Sequence, residues 1–135
     1  MLECSVIILN WNGEAMLRRY LPSVIQYTQL EGVEIVVADN GSTDASLEFL
    51  HSQPVRIIEL GENLGFAEGY NRAIEQVESK YVVLLNSDVE VTSNWLDTLL
   101  NYARAHEEVV AIQPKILSWQ SKEDAIKSGS SDVLF

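Results

Sequence analysis

The chain has 135 residues, of which 20 are acidic and 9 are basic, and its formal charge is −11. This length is typical of one domain, and a hydrophobic content of 47% is that of a globular protein rather than a disordered one. The acidic balance argues against nucleic-acid binding, because it repels a phosphate backbone. A metal ion or a helix N-terminus can still hold a small phosphorylated ligand locally.

The sequence carries no sign of secretion or of a membrane span. Its single cysteine, Cys4, cannot form an internal disulfide, which is compatible with a reducing compartment. Residues 1–10 lack the basic region of a signal peptide, and no apolar run approaches the about 18 residues that a span needs. We therefore expect a cytoplasmic protein. Peripheral contact with the inner face of a membrane and the oligomeric state are left open.

Apolar runs with strand character alternate with runs of helical spacing. Five strands are predicted, at Ser5–Leu9, Val33–Ala38, Val55–Leu60, Tyr81–Leu85 and Val109–Ile112. Four helices are predicted between them, over Glu14–Thr28, from a cap at Ser42 or Thr43 to His51, over Phe66–Val77, and from a cap at Ser93 to Arg104. Pro22 predicts that the first helix starts late or bends, and the very apolar fourth strand is predicted to be central.

This alternation indicates an α/β fold. Near-continuous apolar strands between helices are typical of a mostly parallel sheet that is covered on both faces, a Rossmann-like three-layer α/β/α sandwich. Residues 118–135 are polar and weakly patterned, so we predict one domain over residues 1–117 followed by a polar tail.

Polar residues and glycines follow four of the predicted strands. They form the segments Asn10–Gly13, Asp39–Ser42, Gly61–Phe66 and Asn86–Asp88. Each segment alone can be explained as a turn, since Asn, Asp and Gly favour turns. In an open parallel sheet, however, ligands bind beyond the carboxyl ends of the strands. The four segments together therefore favour a ligand site at one edge of the sheet.

Two aspartates in these segments have chemistry that suits a nucleotide. Asp39 can accept hydrogen bonds from a ribose hydroxyl or a base N–H, or it can cap its own turn. Asp88 suits a hard cation that carries a diphosphate, or it too can be a turn or cap residue. Neither a G-x-G-x-x-G fingerprint nor a Walker A lysine motif is present.

Four segments, in this order, resemble the family 2 glycosyltransferases and particularly their rhamnosyltransferase-like branch. They are VIILNWNG at Val6–Gly13, VVADNGSTD at Val36–Asp44, NLGFAEGYNRAI at Asn63–Ile74 and VVLLNSDVEV at Val82–Val91. The resemblance implies a GT-A fold of the nucleotide-diphospho-sugar transferase type. It implies that the chain is the N-terminal, nucleotide-sugar-binding part of such an enzyme.

The resemblance also implies a nucleotide site of six residues, namely Asn10, Asn12, Asp39, Asn63, Gly65 and Asn71. Of these, Asp39 would bind the base or ribose, and Asn71 would support the loop that brings Asn63 and Gly65 near the base. Asp88 would be the metal-binding end of the family's D-x-D motif and would hold Mg²⁺ or Mn²⁺ on the diphosphate.

The sequence departs from the family pattern at two points. The first D-x-D position is Asn86, which leaves one firm carboxylate. The family's catalytic base is an Asp or Glu in a later acceptor-binding segment, so we expect that base beyond Phe135 and name no catalytic residue. The chain taken alone is accordingly expected to bind the donor weakly and to transfer little or no sugar.

The function implied by the resemblance is inverting, metal-assisted transfer of a hexosyl or rhamnosyl group in bacterial cell-surface polysaccharide synthesis. The donor would be a UDP- or dTDP-linked sugar, and the acceptor a saccharide or a lipid-linked molecule. Two alternatives stay open. A nucleotidyltransferase would need a basic phosphate loop near the first strand, where the first basic residue is Arg18. A non-catalytic nucleotide-binding or scaffold fragment is the other.

Overall fold

The structure is a computed structural model, and it describes residues 1–114 and 116–117. The strands are β1 (Leu2–Asn10), β2 (Val33–Asp39), β3 (Arg56–Glu59) and β4 (Ser79–Leu85), and the helices are α1 (Glu14–Tyr27), α2 (Ser46–His51), α3 (Phe66–Ile74) and α4 (Trp95–Ala105). The chain divides into two units, residues 1–91 and residues 92–135. The predicted tail at 118–135 lies outside the described residues. None of the helices described is long and apolar enough to cross a bilayer.

The four strands form one parallel sheet in the order β3-β2-β1-β4. The chain runs from β1 to β2 and then to β3, and it next crosses back over β2 and β1 to form β4 on the other side of β1. Right-handed crossovers therefore place α1 and α2 on one face and α3 on the other, which confirms the predicted α/β fold. The direction of winding reverses between β1 and β4, and ligands of open α/β sheets bind at such a switch point.

The core lies on both sides of the two central strands, β1 and β2. On one face, Ile7, Val36 and Ile58 pack with Tyr70 and Ala73 of α3. On the other face, Val6, Ile8, Val37, Leu17, Leu21 and Val24 are buried. Burial of each large aliphatic side chain contributes about 1.5–3 kcal/mol. This packing holds the carboxyl ends of β1 and β2 in a fixed position.

The prediction of a fifth strand at Val109–Ile112 is wrong for the described residues. The segment has no strand structure, and Val110 is fully exposed. A strand exists only where a neighbour completes its hydrogen bonds. A run of four apolar residues therefore marks a strand only if the fold supplies that neighbour.

The prediction that the fourth strand is central is also wrong for the sheet that the structure describes. β4 lies at its edge, and Val82 and Leu84 are exposed on one of its faces. The helix on that face, α3, packs on β1 and β2. An apolar strand thus indicates burial on average, but its own composition does not specify its place in the strand order.

Several features of the helices differ from the predictions, among them the end of α3, which lies at Ile74 rather than Val77. Helix α1 runs unbroken through Pro22, without the late start that proline suggested. Helix α2 begins at Ser46, and Asp44 rather than Ser42 or Thr43 accepts its first N–H. The predicted cap Ser93 is replaced by Asn94 in the left-handed conformation.

Candidate functional site

Asn10 and Asp39 form a buried pair at the carboxyl ends of β1 and β2. They are opposite each other in the ladder, and Asn10 Nδ2 donates to Asp39 Oδ1 at 2.9 Å. Asp39 Oδ1 also accepts from Ser42 Oγ at 2.6 Å, and Asp39 Oδ2 accepts from Ser42 N at 2.9 Å. Asn10 is 1% exposed and Asp39 is 2% exposed. Asp39 thus holds the two strand ends and its own turn together.

This pair has hydrogen-bonding capacity that the described residues do not use. A carboxylate has about four lone-pair sites, and the three bonds above leave one on Asp39 Oδ2. Asn10 Oδ1 is buried and has no partner among the described residues. A Cβ on Gly13 would lie 2.6 Å from this oxygen, so glycine leaves room beside it. A buried acceptor without a partner is rare, and Asn10 Oδ1 together with the remaining lone pair of Asp39 Oδ2 is suited to a ligand N–H or O–H.

Asn12 joins the loop after β1 to the loop after β2. Its N–H donates to Ser42 Oγ at 2.9 Å, and its Oδ1 accepts from Thr43 N at 2.7 Å and Asp44 N at 3.3 Å. Asn12 has a φ of +48°, a strained backbone conformation that these bonds stabilise. The side-chain oxygen and the backbone N–H of Asn12 are therefore used to join the two loops.

Asp44 strengthens the same junction, which the sequence pattern did not reveal. Its two carboxylate oxygens accept from Glu14 N at 3.1 Å and from Ser46 N at 2.9 Å, at the starts of α1 and α2. Desolvation alone would raise the pKa of Asp44, but the hydrogen bonds from Ser46 and from the Glu14 N–H lower it below its usual value. The carboxylate thus stays charged as a shared cap.

Asn40 connects the β2 end to the loop at residues 61–65. Its Nδ2 donates to Asn63 Oδ1 at 3.2 Å and to Gly65 O at 3.1 Å, and its Oδ1 accepts from Leu64 N at 3.0 Å. The sequence motifs indicate Asn63 and Gly65 but not Asn40, because the partners of Asn40 lie 23 to 25 residues away. Asn71 is exposed on α3 and makes no side-chain hydrogen bond within the described residues.

The β2–α2 turn and the 61–65 loop also touch through their backbones at Gly41. Its φ is +80°, and a Cβ there would lie 2.7 Å from Glu62 Cα, whereas Gly61, with a φ of +84°, has open space around it.

We expect Gly61→Ala to lower the free energy of unfolding by about 1–2 kcal/mol, the cost of the left-handed conformation. Gly41→Ala should lower the free energy of unfolding by about 1–3 kcal/mol more than Gly61→Ala does, because the backbones of the β2–α2 turn and the 61–65 loop must separate. Urea denaturation followed by circular dichroism measures both losses, and equal losses would contradict this.

A cavity of about 330 Å³ lies at the switch point between β1 and β4. Its lining is formed by Leu9, Met16, Phe66, Tyr70, Asn86, Ser87 and Asp88. Phe66 packs edge-on against Tyr70, with ring centroids 4.9 Å apart. The three residues that follow β4 make no side-chain hydrogen bond within the described residues. Their oxygens are therefore available to a ligand.

Asp39 and Asp88 lie at the same edge of the sheet but not in the same cavity. Asp39 does not line the cavity that contains Asp88. β1 separates their strands, and neighbouring strands are about 4.8 Å apart, so the two strand ends are about 10 Å apart. The edge therefore presents two distinct polar centres, one formed by Asn10 and Asp39 and one by the residues after β4.

The oxygens after β4 fit a divalent cation only if a ligand supplies further oxygens. Among the described residues no three His, Cys, Asp or Glu side chains cluster as a metal site. Asp88 contributes one carboxylate, and Asn86 and Ser87 contribute neutral oxygens. Mg²⁺ is usually held by one or two carboxylates together with substrate phosphates and water. The donor set thus fits a metal that arrives with a diphosphate.

A larger cavity of about 530 Å³ lies elsewhere, at the amino-terminal ends of β2 and β3. Its charged residues are already engaged, since Glu34 Oε1 accepts from Ser5 Oγ at 2.8 Å and from Arg56 at 3.4 Å. Arg56 also donates to Gln76 O at 2.8 Å. This groove lies at the opposite edge of the sheet from the strand-end residues.

Comparison with known proteins shows that the chain is similar to glycosyltransferases. Residues 5–128 match the protein-family model described as glycosyl transferase family 2. The chain is 27% identical over 113 residues to an uncharacterized glycosyltransferase of Haemophilus influenzae, covering 80% of this chain and 35% of that protein. It is 29% identical over 124 residues to an N-acetylglucosaminyl-diphospho-decaprenol L-rhamnosyltransferase of Mycobacterium tuberculosis, covering 82% and 40%. The chain thus spans about a third of the length of these relatives.

A solved structure has the same fold. The crystal structure of S. aureus TarS (residues 1–349) in complex with UDP-GlcNAc superimposes with a TM-score of 0.68 at 24% identity, covering 78% of this chain and 32% of that chain. At this identity the likeness concerns the fold, and it agrees with the GT-A fold implied by the sequence motifs.

Proposed function

The chain belongs to glycosyl transferase family 2, and on that premise we propose that it forms the donor-binding part of a sugar-transferring enzyme. The proposed donor is a UDP- or dTDP-linked sugar, and the proposed acceptor is a saccharide or a lipid-linked molecule. The names of the relatives support this, since one transfers rhamnose and TarS binds UDP-GlcNAc. Because the bacterial relatives include a teichoic acid poly(glycerol phosphate) polymerase and an L-rhamnosyltransferase, we propose a reaction in bacterial cell-surface polysaccharide synthesis.

The observation that carries the proposal is the unused acceptor capacity of Asn10 and Asp39 at the ends of β1 and β2. Among the described residues Asn10 Oδ1 is buried without a partner, and Asp39 Oδ2, which accepts from Ser42 N, keeps one further lone pair. Uracil and thymine present a ring N–H, and ribose presents hydroxyl groups, so a nucleoside supplies the donors that this pair lacks. We assign nucleoside recognition to Asn10 and Asp39.

The remaining predicted nucleotide residues act through the loops around that pair. Asn12 fixes the loop after β1, and Asn63 shapes the loop at 61–65. Gly65 brings its carbonyl oxygen to Asn40. We propose that these loops form the rim of the nucleoside site. The supporting role of Asn71 stays a prediction from the resemblance.

The diphosphate belongs, in this proposal, at the cavity after β4. Asp88, Asn86 and Ser87 would hold Mg²⁺ or Mn²⁺ together with phosphate oxygens. When bound, such an ion neutralises negative charge on the leaving diphosphate. The chain itself orients the donor, because it holds the nucleoside about 10 Å from the diphosphate, two strands across the sheet.

The proposed reaction inverts the configuration of the donor sugar. The acceptor oxygen forms a bond to the anomeric carbon while the bond to the diphosphate oxygen breaks, and a base takes the acceptor's proton. We assign no base among the described residues. Nucleotidyl transfer and a scaffold role are not favoured, because the matching family model describes glycosyltransferases and the relatives are named as glycosyltransferases.

Titration calorimetry of the 135-residue chain with UDP, dTDP and GDP tests this proposal. We expect a Kd below about 1 mM for UDP or dTDP in Mn²⁺, and binding about tenfold weaker in EDTA. ATP with Mg²⁺ serves as the control for a nucleotidyltransferase. Absence of heat with every nucleoside diphosphate, in a chain shown to be folded by circular dichroism, would contradict the proposal.

A further inference from the structure

The loop that carries Asp88 is attached to the molecule differently from the other strand-end loops. Side-chain amides and hydroxyls join the loops at 10–13, 39–44 and 61–65 to one another. Within the described residues, no such bond reaches Asn86, Ser87 or Asp88. Whatever fixes the position of these three residues must therefore act elsewhere along the segment.

Two hydroxyl groups bind the backbone at the two ends of this segment. Tyr70 OH donates to Leu85 O at 2.9 Å, just before it. Ser23 Oγ accepts from Val91 N at 3.2 Å, just after it, and donates to Tyr20 O at 2.9 Å. Tyr70 lies on α3 and Ser23 on α1, so the segment is fastened to the helices on both faces of the sheet.

The surroundings of both bonds make them costly to lose. Tyr70 and Val91 are almost fully buried, and a buried backbone group without a partner is strongly disfavoured. Burial raises the pKa of Tyr70 above its usual value, so the phenol keeps its proton and remains a donor. The ring of Tyr70 also lines the cavity beside Asp88, which couples its position to the shape of the site.

We propose that Tyr70 and Ser23 are positioning residues that hold the segment 86–90 at its two ends and thereby place Asp88 for metal-bound diphosphate. This inference rests on the proposed function of Asp88. A single carboxylate binds a cation well only when its geometry is preorganised. Loss of either anchor should therefore weaken metal-dependent binding more than nucleoside binding.

The test compares Tyr70→Phe and Ser23→Ala with Ser23→Thr, which keeps the hydroxyl. Tyr27→Phe and Ser52→Ala are matched controls, since Tyr27 is partly exposed and Ser52 Oγ also donates three residues back, to Phe49 O. We expect the UDP affinity in Mn²⁺ to fall about threefold to tenfold in the two anchor variants. The affinity in EDTA should stay within twofold, and Ser23→Thr should restore the affinity in Mn²⁺.

Hydrogen–deuterium exchange gives a second readout that needs no nucleotide. Amides of residues 86–91 should exchange faster in Tyr70→Phe and Ser23→Ala, while those of residues 39–44 should not change. Unchanged exchange in this segment, or equal losses of affinity in Mn²⁺ and in EDTA, would overturn the inference. A wild-type chain that binds UDP equally with and without Mn²⁺ would instead overturn the proposed role of Asp88, and the exchange experiment would still decide whether the anchors hold the loop.

Discussion

Asp88→Asn is expected to abolish the effect of Mn²⁺ on UDP binding. Asparagine keeps the size of the side chain but removes the only carboxylate among the described residues that line the cavity after β4. The Kd for UDP in Mn²⁺ should rise to the value measured in EDTA, about tenfold or about 1.4 kcal/mol. The formal charge of −11 opposes an anionic ligand, so a bound cation is expected to matter for holding a diphosphate. Calorimetry with and without EDTA measures the change.

The same substitution should leave the fold intact. Asp88 is exposed and makes no hydrogen bond within the described residues, so the free energy of unfolding should change by less than about 0.5 kcal/mol. Glu48→Gln, on the exposed surface of α2, removes one negative charge elsewhere and serves as the control. If Mn²⁺ still strengthens UDP binding to Asp88→Asn, then the cation is held by other groups and the assignment of Asp88 is wrong.

Much of the fold could be predicted because its signals are local. The apolar runs ending at Asn10, Asp39 and Leu85 mark three strands, and helical spacing between them implies parallel crossovers. Parallel strands bring their carboxyl ends to one edge, so the approach of Asn10 to Asp39 follows from topology before any contact is known. This is why the predicted convergence of strand-end residues at one edge of the sheet agrees with the structure even where individual helix boundaries do not.

The parts that could not be predicted depend on neighbours far away in the sequence. The edge position of β4 is set by which strands pair, and its apolar composition carries no information about that. Ser42 resembles a helix cap locally, but its hydroxyl is engaged by Asp39, Asn10 and Asn12. The role of Tyr70 likewise depends on a carbonyl group 15 residues away. Such side chains are recognisable only once the strand ends have been brought together.

Asp39→Asn is expected to weaken UDP binding equally in Mn²⁺ and in EDTA, by about tenfold or more. Asp39 is surrounded by donors, since it accepts from Asn10 Nδ2, Ser42 Oγ and Ser42 N. The amide NH₂ of an asparagine would face at least one of these donors, whichever way it is turned. We therefore expect the free energy of unfolding to fall by about 1–3 kcal/mol, the usual cost of leaving a buried polar group unsatisfied.

Because Asp39→Asn affects both stability and binding, a control must separate the two effects. Ile58→Val removes a methylene group from the core on β3 and should cost about 0.5–1.5 kcal/mol without touching the strand-end network. It should bind UDP like the wild type, which would show that a modest loss of stability alone does not weaken binding. Wild-type UDP affinity in Asp39→Asn would remove Asp39 from the nucleoside site. A loss that appears only in Mn²⁺ would instead mean that Asp39 acts on the diphosphate, and the division of the sheet edge into a nucleoside centre and a metal centre would be incorrect.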